Sequence, residues 1–297
     1  MLYYLVYLEK PEMEYGYLQK EYVFMTERIF DAVCDRGSLY ELSISHLAMG
    51  SIDLHATHVF PFNVFSIEEN AVPECSIENL DGDEFRRYDR PALAMLVPPG
   101  LRIRRNIDPR LRFIAVHFHV GFGAGPDFFA GQRRWWSWED PALLEEMRAV
   151  TRQTDTGRMI CALKAVLWRL IGERLPVTDV GRERALARYS KIFRWVAEHS
   201  DEHLTVAEMA AHHGCRPDVF ARNFRRDTGM TPRDFLCDTR IRRVAAALTG
   251  GGESIKELAE RFGFCSPFQL SEFFRKRTGL SPSEYRKKFG APPSGRP

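Results

Sequence analysis

The side chains best placed to do chemistry fall in two short sets. Asp218, Arg222 and Arg225 lie on one face of a helix expected to begin near Pro217, opposite Phe220 and Phe224, because each residue advances about 100° around the axis. Phe268, Glu272 and Arg275 stand in the same relation to Leu270 and Phe274 fifty residues later. An arginine can donate two parallel hydrogen bonds to a guanine edge, and a glutamate can accept from a cytosine amino group. Either contact discriminates between bases by roughly 1–3 kcal/mol. Arg225, Arg226, Lys276 and Arg277 suit phosphate oxygens, which hold a helix in register without reporting sequence.

These faces belong to a segment written twice. Thr205-Val206-Ala207-Glu208-Met209-Ala210 returns as Ser254-Ile255-Lys256-Glu257-Leu258-Ala259, and Thr228-Gly229-Met230-Thr231-Pro232 returns as Thr278-Gly279-Leu280-Ser281-Pro282. Each copy opens with a capping box, Thr205 with Glu208 and Ser254 with Glu257, and closes its first helix at a glycine, Gly214 or Gly263. Between the copies, Thr231-Pro232 starts a helix through Phe235, Ile241, Val244 and Leu248 to Gly250. Its length, roughly 25 Å, would set the separation of two helix-turn-helix units, and a spacing near 34 Å would seat both in successive major grooves of one duplex.

The segment from about Ala187 to Lys288 resembles the DNA-binding domain of the AraC/XylS transcription regulators. The resemblance is carried by Leu204 to Ala210, by Phe224 to Pro232, by Ser254 to Ala259 with Gly263-Phe264, and by Phe274 to Arg286. It implies a seven-helix domain with two helix-turn-helix units, and it places base-reading roles on Asp218, Ala221 and Arg222 and on Phe268, Ser271 and Glu272. Arg216, Arg225, Arg226, Ser266, Gln269, Arg275 and Lys276 complete the expected DNA-contacting set. Glu272 stands where these regulators often carry a basic residue.

Charge supports that placement. Of 42 Lys and Arg and 40 Asp and Glu in 297 residues, the stretch 182–297 holds 22 and 14, leaving 20 and 26 for residues 1–181. The surplus positive charge travels with the repeat, as an electrostatic footprint for nucleic acid does. The six cysteines include no C-x-x-C pair, which fits reduced thiols. The apolar start, Met1 to Leu8, meets Glu9 and Lys10 too soon for a signal peptide or a membrane span. A soluble cytoplasmic protein with no membrane partner is expected.

Ahead of the repeat the period is that of strands. Tyr40 to Ser45 alternates, and Phe60 to Ile67, Leu93 to Val97 and Arg112 to Val120 are apolar runs separated by turn residues such as Pro98-Pro99-Gly100. The fold class expected is α+β: an N-terminal antiparallel cupin-like β-barrel (1–125), a helical linker or dimerisation segment (126–181), an all-α DNA-binding domain (182–290) and a flexible tail (291–297). Apolar residues at helical spacing in Pro141 to Val150 and Met159 to Ile171 could close the barrel or pair two subunits. A short linker is expected at Pro176 to Gly181.

His55, His58, His117 and His119 could converge inside such a barrel, with His117 and His119 on one strand face. The order of ligands found in metal-binding cupins is absent, so they are read as polar residues lining a pocket or sitting on the surface, and neither a metal nor another cofactor is expected. Trp135, Trp136 and Trp138 follow Arg133 and Arg134 and could stack on a sugar. The function expected is a DNA-binding regulator and activator with a small-molecule effector, a carbohydrate or derivative, acting as a homodimer on double-stranded promoter DNA and able to engage RNA polymerase. The alternative is a metal-dependent cupin enzyme fused to a DNA-binding domain. No nucleophile triad, phosphate-cradling loop or acid/base pair stands in residues 1–181 to support it.

Overall fold

A computed structural model of the chain describes residues 40–174, 185–250 and 252–290. The expected linker at Pro176 to Gly181, the apolar N-terminal stretch and the tail from 291 lie outside these residues.

The strands are β1 (Tyr40–Ser51), β2 (Leu54–Val59), β3 (Asn63–Glu68), β4 (Val72–Asn79), β5 (Phe85–Tyr88), β6 (Leu93–Val97), β7 (Arg102–Ile107), β8 (Arg112–Phe122) and β9 (Trp136–Glu139). They form two sheets, ordered β1-β8-β3-β6-β9 and β2-β7-β4-β5. The antiparallel cupin-like unit expected at the front is present, as two packed sheets rather than one closed barrel. The separation has a local cause: β3 is hydrogen-bonded to β6 and β8, while β2 and β4 both pair with β7, so the strands sort into two separate ladders.

Alternation along the strands shows what each face meets. Every residue of β3 and β6 is buried, because the five-stranded sheet is covered on both sides. Val64, Met95 and Val97 turn toward Leu54, Ile77 and Ile103 of the second sheet. Phe65, Leu96, Val116 and Phe118 turn the other way, onto helices α1 (Pro141–Thr151) and α2 (Thr156–Arg174). Leu163, Val166, Leu167, Leu170 and Ile171, the apolar stripe that could have paired two subunits, is thus used inside the chain. Helices α1 and α2 pack on the five-stranded sheet, and β9 pairs with β6.

The C-terminal helices are α3 (Ser190–Glu198), α4 (Val206–His213), α5 (Pro217–Thr228), α6 (Pro232–Gly250), α7 (Ile255–Arg261), α8 (Pro267–Thr278) and α9 (Pro282–Phe289). The capping boxes at Thr205 and Ser254 form with both reciprocal hydrogen bonds, and a third forms between Ser281 and Glu284. One apolar cluster includes the interior of the β-sandwich together with Ile241, Leu258, Leu270, Phe274, Tyr285 and Phe289. The second helix-turn-helix unit is packed directly on the sandwich.

Gly229 and Gly279 terminate α5 and α8 in the same left-handed conformation, with φ of 81° and 80°. Their surroundings differ. A Cβ on Gly229 would meet nothing within 4 Å, whereas one on Gly279 would lie 3.0 Å from the Thr57 carbonyl oxygen and 3.3 Å from the His58 Cα on β2. Gly229→Ala should cost about 1–2 kcal/mol from backbone strain alone, and Gly279→Ala should cost more. Urea unfolding of both variants measures the difference, and equal losses would show that the turn is not held against β2.

Candidate nucleic-acid interface and interior polar site

In the first helix-turn-helix unit, Phe220 and Phe224 are buried to 1% and 0% exposure against Tyr189, which approaches the Phe224 ring edge-on at 5.1 Å. That anchors α5 and fixes which face it shows. Arg216, Asp218, Arg222, Arg225 and Arg226 are exposed and Ala221 is half-buried. Arg216 Nε lies 3.2 Å from Asp218 Oδ1, just before and within the first turn. Arg226 donates to Asp227 Oδ1 at 2.9 Å, and Asp227 also accepts from the Tyr189 hydroxyl. Arg226 is therefore tied to its own helix. Arg222 and Arg225 have no ion pair among the described residues, which leaves their guanidinium groups available to bases and phosphates.

The second unit presents a different surface. Leu270 and Phe274 are fully buried, and Phe268 stands 72% exposed with Glu272, Arg275 and Lys276 also exposed. Ser266, Gln269 and Ser271 serve the helix itself. Ser266 Oγ accepts from the Gln269 amide at 3.2 Å, Gln269 Oε1 accepts from the Cys265 amide at 2.8 Å, and Ser271 Oγ donates to the Pro267 carbonyl at 2.8 Å. Arg277 leans away from the exposed face to Asp238 on α6, 3.2 Å distant.

The histidines expected to converge divide among three environments. His55 faces outward from β2, beside Asp53 and Asn106, and is not part of the interior. His58 and His117 are buried to 1% and 4% exposure and meet the same rings, Phe60 and Phe289. His119 sits further along β8, with Nε2 3.8 Å from Asp127 Oδ2, where the charge of Arg242 from α6 also acts. Burial holds all three buried histidines well below the ordinary imidazole range, so they are neutral. Among the described residues, no three His, Cys, Asp or Glu side chains are grouped to hold a metal.

The tryptophans split as well. Trp135 enters the core between the sheets, while Trp136 meets Phe129 on the helix side of the five-stranded sheet, so the two make no common platform. Both border an open cleft of about 430 Å³ with Glu84, Arg134 and Trp138.

Two interior residues lay outside the expected set. Arg105, 9% exposed, points between the sheets from β7 and lies over the Phe60 ring at 5.3 Å. Glu68, 2% exposed, accepts from Ser66 Oγ at 3.2 Å, and its second carboxyl oxygen has no partner. Burial pushes the Glu68 carboxyl up to about 8, against an opposing pull from Ser66 and Arg105. Burial similarly raises Asp127 to about 6.

A helix-turn-helix domain model matches residues 209–288. The transcriptional activator RhaS of Klebsiella pneumoniae (strain 342) is 24% identical over 147 residues, 49% of this chain and 52% of RhaS. The melibiose operon regulatory protein of Escherichia coli (strain K12) is 31% identical over 98 residues, 33% of this chain and 32% of that protein. The chain thus spans about half or less of the curated relatives it matches. ToxT from Vibrio cholerae shares the fold, with a TM-score of 0.52 at 11% identity over 85% of this chain and 99% of that one. No helix among the described residues is long and apolar enough to cross a membrane.

Glu68 has a testable pH signature. Its folded-state value of about 8 lies above the 4.5 of a free carboxyl, so its contribution is most favourable below the unfolded value and is lost as pH rises toward the folded one. The neutral histidines act in the opposite sense, losing their contribution as pH falls below 6.5. Glu68→Gln should therefore gain melting temperature over the parent progressively between about pH 5 and pH 8. A difference independent of pH in calorimetry would show that Glu68 is not held protonated.

Proposed function

Because its C-terminal third is an AraC/XylS-type DNA-binding domain, we propose that this chain is a transcription regulator that binds promoter DNA through α5 and α8 and responds to a small molecule held by its β-sandwich. The observation that carries the reading is the pair of capped helix-turn-helix units whose second helices bury phenylalanine or leucine on one face and leave Arg222, Arg225, Phe268, Glu272 and Arg275 open on the other. Arg222 is assigned to a base edge, and Arg225, Arg275 and Lys276 to phosphates. Ser266 and Gln269 act first as caps at the start of α8, and Ser271 bonds back to the preceding turn.

The sandwich supports an effector role because its interior keeps polar groups, His58, His117, Glu68 and Arg105, where a purely structural core would be apolar. The melibiose operon regulatory protein among the relatives favours a carbohydrate or carbohydrate derivative as the effector. Homodimerisation and engagement of RNA polymerase belong to this reading, and a dimer would use surface other than the apolar stripe of α2, which the sheet occupies.

Two substitutions separate reading from holding. Arg222→Ala should weaken the specific site by roughly 1–3 kcal/mol and relax preference at one base pair, while Lys276→Ala should weaken all sequences alike and lower the salt slope by about one. Fluorescence anisotropy on a site selected from random duplexes, with a scrambled control at several salt concentrations, measures both. Equal losses on specific and scrambled DNA for Arg222→Ala would assign that residue to phosphate.

A further inference from the structure

One edge of the sandwich is open beside its tryptophans. Strand β9 ends the five-stranded sheet, pairing with β6 on one side and with no strand of the described residues on the other. Hydrogen bonds at its two ends show which way its backbone faces. The Asp140 amide donates to the Ala92 carbonyl at 2.9 Å, toward β6, and the Trp135 amide donates to Glu84 Oε2 at 3.3 Å, away from it. Backbone groups alternate along a strand, so Ser137 turns its N–H and C=O to the open side, while Trp136 and Trp138 direct theirs to β6. Ser137 is exposed and both tryptophans are half-buried. Strand β5 ends the four-stranded sheet at the same edge, where the Glu84 carboxylate joins Arg134 to Asn79, and Phe85 of β5 stands 56% exposed.

An edge strand offers unpaired backbone groups to another chain, and folded proteins guard such edges with charge, proline or a bulge. Strand β5 follows that rule, with Arg86 and Arg87 and a register shift against β4. Strand β9 does not. It reads Trp136-Ser137-Trp138 with charges of opposite sign at its ends, Arg133 and Arg134 before it and Glu139 and Asp140 at its close. That order complements itself when reversed. A second copy laid antiparallel about a two-fold axis at Ser137 would pair Ser137 with Ser137, Trp136 with Trp138 and Arg134 with Asp140. Because Ser137 faces the open side, it would form the hydrogen-bonded pair at the axis, and Trp136 and Trp138 would meet where opposed side chains come closest. A parallel arrangement would instead set the arginines of both copies side by side. We infer that β9 is the contact through which two copies of this chain join their five-stranded sheets into one, with Ser137 on the symmetry axis. This rests on the homodimer of the proposed function and supplies its surface.

Sedimentation velocity of the full chain over a range of concentrations tests the contact. Ser137→Lys and Ser137→Glu each set like charges opposite one another at the axis, and each should raise the dimer dissociation constant about fivefold or more. An equimolar mixture of the two should recover the parent's association, because unlike charges then meet. A variant that merely misfolded would gain nothing from mixing. Register is checked with Ser137→Cys and oxidised glutathione: one thiolate forms a mixed disulfide and releases glutathione, and the thiol of the second copy displaces the other glutathione. Peptide mass spectrometry without reductant should find two copies linked through position 137, whereas Arg133→Cys, which this register sets opposite Pro141, should not link to itself. The proposal is overturned if both charged variants associate as the parent does, if their mixture associates no better than either alone, or if Ser137→Cys links no more readily than Arg133→Cys. In the first case the homodimer stands on another surface. A parent that is monomeric at every concentration overturns the homodimer of the proposed function together with this contact, and leaves the DNA-binding reading in place.

Discussion

The apolar core shared by the β-sandwich and the second helix-turn-helix unit constrains everything else in the described chain. Leu54, Phe60, Val97 and Ile103 belong to the same apolar cluster as Leu258, Leu270, Phe274 and Phe289. Separating the two would expose that surface to water, and apolar burial is the dominant favourable term in folding. The first unit is held differently. A Cβ on Gly125 of the sandwich would lie 2.7 Å from the Phe193 ring of α3, and Arg242 of α6 carries its charge to Asp127. The long helix α6 therefore leaves one unit that shares the sandwich core and another that meets it at an edge.

That difference extends to the surfaces offered to DNA. Helix α5 shows two arginines without ion-pair partners among the described residues, whereas α8 begins with an exposed aromatic ring and carries a carboxylate one turn later. A phenylalanine 72% exposed at the start of a helix gains nothing in the free protein. Under the proposed function it would gain a partner against a thymine methyl group, and Glu272 would accept from a cytosine amino group. Two units with such different faces would then read unlike half-sites, and one chain would suit an asymmetric operator.

What the sequence disclosed depended on whether a feature was local. The helix-turn-helix units were legible because a capping box, a periodic apolar face and a terminal glycine all fall within about twenty residues and agree with one another. Strands β3, β6 and β8 were legible as apolar runs because their sheet is covered on both faces. Strands β2 and β7 were not: their sheet has one outward face, so His55, Arg102 and Arg104 interrupt the pattern. Arg105 illustrates the limit. In Arg102-Ile103-Arg104-Arg105-Asn106-Ile107 alternation puts Arg105 on the face of Ile103 and Ile107, but the three arginines mask that pattern by type, and the pairing of β7 with β2 and β4 turns that face to the interior. The histidines were singled out by type, yet alternation sends His55 outward and His58 inward, and position along β8 gives His117 and His119 different neighbours.

The polar interior and the shared core meet at one ring. Phe289 lies 5.8 Å from His58 and 6.4 Å from His117 while also packing on Tyr285 of its own helix at 4.8 Å. A ligand can shift an equilibrium only by as much as it prefers one arrangement over another. Under the proposed function, a molecule bound among the interior rings would touch Phe289 while that helix is docked and lose the contact if the helix moved, and the packing would supply the required difference in affinity. Because Phe289 follows α8 by a single turn and the short helix α9, the same contact that senses the interior also sets where the second recognition helix stands. On that reading, coupling between the two sites would need no relay through the first unit, and by linkage DNA that favours one position of α8 would alter the affinity of the interior by the same factor.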